Sequence, residues 1–322
     1  MPLAISRTAP FRYLQKQIGS ATYRLNTILV GLEAVADGAS KSPRLPVTWN
    51  KPTDLHQARS VADQGSIFAC TSALVLAADV FDQFLSNFVT EGWLNFSGDT
   101  INIVTKAKTR SKEDGGAYSV AERTIALLKD LHLSISPAVG GVELLSKWRN
   151  VSVHSKERKN NIHSEMESLL TQSKIYFYEH YSHFRIDLAL RNFRGRKNPV
   201  PKEATSLIAA VQNISGTLDE AAIRRAAGTT EAIAITADRL LSEYFCDGER
   251  LVPGFGELAE ALQGPRERRL ANLIKILQRV GITETAKVVS AVLPDSYIDG
   301  ILESSRGELV DRFKIHIRSK SD

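Results

Sequence analysis

Apolar side chains recur every three or four residues along most of this 322-residue chain, a spacing that commits it to helices packed on helices. Between Phe11 and Asp37 they fall at Leu14, Ile18, Leu25, Ile28, Leu29, Leu32 and Val35, and Gly38 closes the run. Prolines at 43, 46 and 52 mark a loop, after which Thr53 or Asp54 can cap a second long helix reaching about Phe88. Its expected buried stripe is Val61, Ile67, Phe68, Leu74, Val75, Ala78, Phe81, Phe84 and Leu85. Shorter helices are predicted over 119–131 and 137–150, and a long aromatic-rich one over 165–194. A further series is predicted over 203–214, 218–227, 229–245, 256–263, 265–280, 283–292 and 294–317. One stretch departs from this period. Trp93, Leu94, Phe96, Ile101, Ile103 and Val104 flank Ser97-Gly98-Asp99, which predicts a short β-hairpin over 92–105. The expected fold class is all-α with a small β-hairpin insertion.

A chain that is 43% hydrophobic and 24% charged can bury a sizeable core. Its net charge of +5 is compatible with a polyanionic partner without requiring one. Basic residues cluster at 106–112, 147–159, 191–202 and 266–269, each of which alone reads as a solvated face. Cys70 and Cys246 stand far apart in apolar helical runs, as buried thiols of a reducing compartment would. The first residues lack the apolar core of a signal peptide. The apolar run Ala69–Val80 is short and interrupted by Thr71, Ser72 and Asp79, so no membrane span is expected and the cytoplasm is the expected location. Residues 193–202, with two prolines, a glycine and four basic residues, predict a division into 1–195, a basic linker at 196–202, and a second helical region over 203–322.

Most catalytic signatures are missing. Glycine-rich phosphate loops of the Walker or Rossmann type do not occur, nor does a Gly-x-Ser-x-Gly elbow, and no cofactor is expected. His180 and His183, three apart, lack third and fourth partners for a metal, so no metal site is expected. Tyr and Phe residues over 176–184 suit a core or an interface better than a base-stacking platform. Residues 283–302 have the outline of a helix-turn-helix, but Asp299 and Glu303 make a poor recognition helix.

Residues 149–154 are different. Arg149-Asn150-Val151-Ser152-Val153-His154 packs a guanidinium, an amide and an imidazole into six positions. Arg forks two donors onto phosphate oxygens, and His exchanges a proton near neutral pH. An Arg-x4-His spacing alone is weak, and Arg158 to His163 repeats it. Requiring Asn directly after Arg lowers chance matches to ~0.1 per chain. On a straight helix Asn150 and His154 share a face, whereas Arg149 and His154 are about 140° apart. Either Arg149 reaches round, or the helix breaks near Asn150. The plainer alternative keeps Arg149 as a helix C-terminal cation and Asn150 as the helix end.

The segment resembles the Arg-Asn-x-x-x-His signature of the HEPN superfamily. The resemblance covers six residues as a motif and about the first 195 as a helical bundle. It implies a metal-independent endoribonuclease with Arg149, Asn150 and His154 at the catalytic centre, in a toxin or anti-phage defence setting. Because one copy supplies one imidazole, it further implies a homodimer with a composite site. An antitoxin or regulatory protein is a further implied partner, although Ser155 and Lys156 stand where toxins paired with nucleotidyltransferases carry a modifiable Tyr. Lys147, Lys156, Arg158 and His163 are candidate RNA contacts, and residues 203–322 would serve recognition, dimerisation or regulation. The alternative is a non-catalytic RNA-binding or scaffold protein in which the same segment is structural.

Overall fold

The computed structural model describes residues 2–38, 50–105, 117–153, 161–247, 250–251, 263–285 and 288–318. Among them the chain is mostly helical, with two small antiparallel sheets of two strands each. It divides into two compact units: residues 13–87 with 98–216, and residues 1–12 with 88–97 and 217–322. The division nearest the expected linker falls at 216/217, inside a helix, and the basic 196–202 segment belongs to the first of these units.

The unit of residues 13–87 and 98–216 holds most of the two long helices α1 (Ala9–Ala36) and α2 (Leu55–Thr90). α1 stops where Gly38 takes a left-handed φ of 76°, which glycine adopts without steric cost. α2 starts as its sequence predicts. The Asp54 carboxylate accepts from the Gln57 N–H at 2.8 Å, and the Gln57 side chain accepts in return from the Thr53 N–H. Leu74, Phe81, Phe84 and Leu85 are buried as expected, but Phe68 is 74% exposed and Ile67 also faces outward. Alanines 58, 62, 69, 73 and 77 are buried instead. Where α1 crosses, Gly65 lies so close to Leu32 that an added Cβ would stand 2.7 Å from its Cδ2. Small residues permit that approach, so size, and not hydrophobicity alone, selects the inward side. By length and composition α2 is apolar enough to cross a membrane, and 44% of its most apolar stretch is buried in the fold.

The expected hairpin at 92–105 is not formed. Gly92–Leu94 is a 3-10 turn, Asn95 turns the chain with a φ of 52°, and α3 (Gly98–Thr105) follows. Trp93, Leu94 and Phe96 are buried in one unit while α3 belongs to the other. The apparent alternation of Ile101 and Ile103 is too short to outweigh the i, i+4 pair Thr100 and Val104, which α3 buries.

α4 (Val120–Asp130) opens with a reciprocal capping box between Ser119 and Glu122. α5 (Ala138–Val153) follows, with every residue from Ala138 to Leu145 buried. The predicted helix over 165–194 is three: α6 (Ser164–Gln172), α7 (Lys174–His180) and α8 (Ile186–Arg194). Ser182 and His183 both have positive φ and break the run. That turn folds Tyr181 and Phe184 back onto Phe177, with ring centroids 5.5 and 6.0 Å away. His180 and His183 therefore do not share a helix face.

Predicted helices at 203–214 and 218–227 are one, α9 (Pro201–Ala227), followed by α10 (Thr230–Phe245). Cys246 begins a strand, β2 (Cys246–Asp247), paired with β3 (Arg250–Leu251). The expected helix at 256–263 lies almost wholly outside the described residues. α11 (Arg266–Arg279) matches its prediction, but the described residues of 283–292 form no helix. There β4 (Ile282–Glu284) pairs with the N-terminal β1 (Leu3–Ile5), Ala4 opposite Thr283. The first half of the possible helix-turn-helix is thereby removed. The predicted 294–317 helix divides at Ser304 into α12 (Asp295–Glu303) and α13 (Arg306–Arg318).

Candidate functional site

α5 is sequence-built to be central. Gly140 and Gly141 carry no Cβ, and one added at Gly140 would sit 2.8 Å from Leu170 of α6. At Gly141 it would meet Ala210 of α9 at 3.1 Å and Phe177 of α7 at 3.2 Å. Neighbours therefore pack tightly on the first half of α5. One side of α5 carries Glu143, Lys147, Arg149 and Asn150 to the wall of a cleft of about 260 Å³. Asp79 and Asp82 of α2 and Tyr118, Ser119 and Arg123 at the start of α4 complete that wall.

Three ion pairs organise the cleft. Arg149 donates through Nη2 to the Asp79 carboxylate at 3.0 Å and through Nη1 to the Asn150 side-chain oxygen at 3.2 Å. Its Nε is buried without a hydrogen-bond partner. Arg123, 7% exposed, pairs with Asp82, and its Nε is likewise unpartnered. Glu143 is only 1% exposed; one carboxylate oxygen accepts from the Ala121 N–H at 3.3 Å, and the other lies 3.4 Å from Lys147 Nζ. A buried carboxylate is costly unless paired, so Glu143 and Lys147, one helical turn apart, depend on each other. Three cations face three carboxylates, and those six charges cancel.

The structure thus brings Lys147, Arg149 and Asn150 together. The helix does not break at Asn150 but continues to Val153, with the Ser152 hydroxyl donating to the Trp148 carbonyl at 2.9 Å. His154, Lys156 and Arg158 lie outside the described residues. His163 precedes α6, exposed, and lines a second cavity of about 270 Å³ with Glu122 and Glu165. Both cavities include Ser119. His180 stacks on Tyr176 at 4.3 Å, its Nδ1 3.0 Å from the Tyr176 carbonyl oxygen. Burial pushes the Tyr181 hydroxyl far up, as for a core tyrosine. Burial also raises the Cys70 thiol, which is free. Among the described residues no three His, Cys, Asp or Glu side chains gather as metal ligands would.

Sequence reading missed Asp79, Asp82, Arg123 and Glu143. One signal was available: Asp79 and Asp82 are the only charged residues between Ala69 and Phe88, and a charge inside an apolar helix needs a partner. Nothing local identified that partner as Arg149, seventy positions away. Comparison of the chain with family models, with characterised proteins and with solved structures gave no match.

Proposed function

We propose that this protein is a HEPN-type endoribonuclease that cuts RNA without a metal ion, with its centre at Arg149, Asn150 and His154. The observation that carries this reading is that Arg149 and Asn150 stand side by side on the wall of one polar cleft, with the guanidinium braced by the Asn150 amide and the Asp79 carboxylate. A guanidinium in that position neutralises charge on the non-bridging phosphate oxygens as the 2′-oxygen attacks phosphorus. His154 takes the proton from the 2′-hydroxyl, the bond from phosphorus to the 5′-oxygen breaks, and a second imidazole protonates that oxygen. The products are a 2′,3′-cyclic phosphate and a 5′-hydroxyl. Because one chain has one such motif, the second imidazole comes from a second copy in a homodimer.

The test is direct. Purified protein incubated with mixed RNA in EDTA should release fragments with those ends and leave DNA uncut. Arg149→Ala and His154→Ala should each lower the rate at least a hundredfold, as expected for charge stabilisation and general base roles. Folded His154→Ala protein that cuts at the parental rate ends the proposal. Specific activity should fall on dilution, as a composite site requires. A second reading, a non-catalytic RNA-binding scaffold, draws on the Arg149–Asp79 ion pair, which also suits a structural arginine. It predicts RNA binding with no cleavage.

A further inference from the structure

The balanced charges of the cleft leave little net attraction for a polyanion, so affinity for one has to come from nearby. α8 ends in a Schellman motif, with the Arg196 N–H donating to the Phe193 carbonyl at 3.0 Å and the Lys197 N–H to the Asn192 carbonyl at 2.9 Å. The left-handed position of that motif is normally glycine. Here Arg196 occupies it, at a φ of 53°, although glycine stands one position earlier at an ordinary φ of −74°. A residue other than glycine keeps such a conformation only where the surrounding structure holds it there.

The loop is also clamped. Trp148 Nε1 donates to the Lys197 carbonyl at 3.2 Å, and its ring stands edge-on to Phe193. Glu203, 4% exposed, accepts from the Asn192 amide at 2.7 Å and from the Val200 N–H at 2.9 Å. Fixed from below, the loop holds the Arg196 and Lys197 side chains exposed. Arg191 and Arg194 of the same element are paired with Asp187 and Glu167. Arg196 and Lys197 have no acidic partner among the described residues. Trp148 directly precedes Arg149, so loop and cleft occupy adjoining sides of α5, whose full width is about 10–12 Å.

We propose that Arg196 and Lys197 form a phosphate grip for a single-stranded nucleic acid, holding the backbone a short distance from the bond in the Arg149 cleft. The grip deepens the ribonuclease reading and rests on it for the identity of the strand. A grip on phosphates alone does not distinguish ribose from deoxyribose. It contributes through release of condensed counterions, with a salt dependence of about −0.7 per contact on single strands.

The experiment uses full-length His154→Ala protein, labelled single-stranded RNA and the matching DNA, with anisotropy read across a salt series. Adding Arg196→Gly and Lys197→Ala should weaken binding of both strands about tenfold and flatten the log–log salt slope by ~1.4. Arg196→Gly alone should leave the melting temperature equal or higher, because glycine fits the left-handed position, while still losing affinity. Unchanged affinity and slope in the double variant overturns the grip, as does tighter binding to anionic lipid vesicles than to either strand. In protein that retains His154, the loop changes should raise KM for RNA and leave kcat near its parental value. Loop-dependent binding by a chain that never cuts RNA sinks the ribonuclease reading and leaves the grip standing.

Discussion

Arg149 is shared between two oxygen acceptors of different consequence. Asn150 is its neighbour in sequence and braces it at no electrostatic cost, whereas Asp79 sets a carboxylate where the proposed ribonuclease reading needs a phosphate oxygen. The Asp79 side chain is 56% exposed, so the pair is screened and contributes under about 1 kcal/mol. A phosphate that engages the guanidinium through two donors can displace it. Asp79→Asn removes the competitor and keeps a neutral acceptor for Nη2. The expected result is a KM for RNA lowered severalfold with kcat within about twofold, read from initial rates at several substrate concentrations. A large fall in kcat with KM unchanged shows instead that the carboxylate aims the arginine. At this scale the sequence offered candidate residues, because a side chain's chemistry is written in its identity. Their partners were hidden, because Asp79 and Arg149 meet only after two helices pack.

Helices were legible in proportion to how far their burial follows a 3.6-residue period. α1, α2, α4, α5 and α11 start and stop within a few residues of expectation, since caps, glycines and prolines act locally. The 165–194 stretch was misread because its apolar residues continue the period across Ser173 and the left-handed pair Ser182 and His183, which only tertiary packing selects. The 92–105 hairpin failed for a similar reason: turn residues between apolar ones suit a bend between helices as well as one between strands. Glycines inside helices show how packing overrides propensity. Gly19 has open space around its missing Cβ, so Gly19→Ala should stabilise by about 0.5–1 kcal/mol. Gly140→Ala drives a methyl to 2.8 Å from Leu170, which is fully buried. Overpacking of about 1–3 kcal/mol outweighs the helix gain, and the displaced α5 carries the cleft with it. Urea midpoints of the two variants should move in opposite directions, and RNA cleavage should fall only in the second.

The compact unit that contains both chain ends was the least readable part, because its contacts join residues nearly the whole sequence apart. β1 pairs with β4, the Ile5 N–H donates to the Ser290 hydroxyl at 2.9 Å, and the Leu293 N–H donates to the Leu3 carbonyl at 2.8 Å. Windows of a dozen residues cannot register pairings separated by 285 positions. Asp219 of α9 anchors the same N-terminal segment, accepting from the Thr8 N–H at 3.2 Å and from the Thr8 hydroxyl. Burial raises its carboxyl to about 7, against the opposing pull of the Thr8 hydrogen bonds and the nearby Arg7 charge. In the unfolded chain the same group releases its proton near ~3.9. Between those values the folded state holds a proton that the unfolded state has lost, so stability falls as pH rises through the window. The contribution is complete below about 4 and gone above about 7, and its size is on the order of a few kcal/mol. Asp219→Asn keeps an acceptor for Thr8 and removes the titration. Urea midpoints measured from pH 4 to pH 8 should decline less steeply in the variant than in the parent. Parallel pH profiles would mean that Asp219 is ionised in the folded chain throughout, its charge held by Thr8 and Arg7 despite burial.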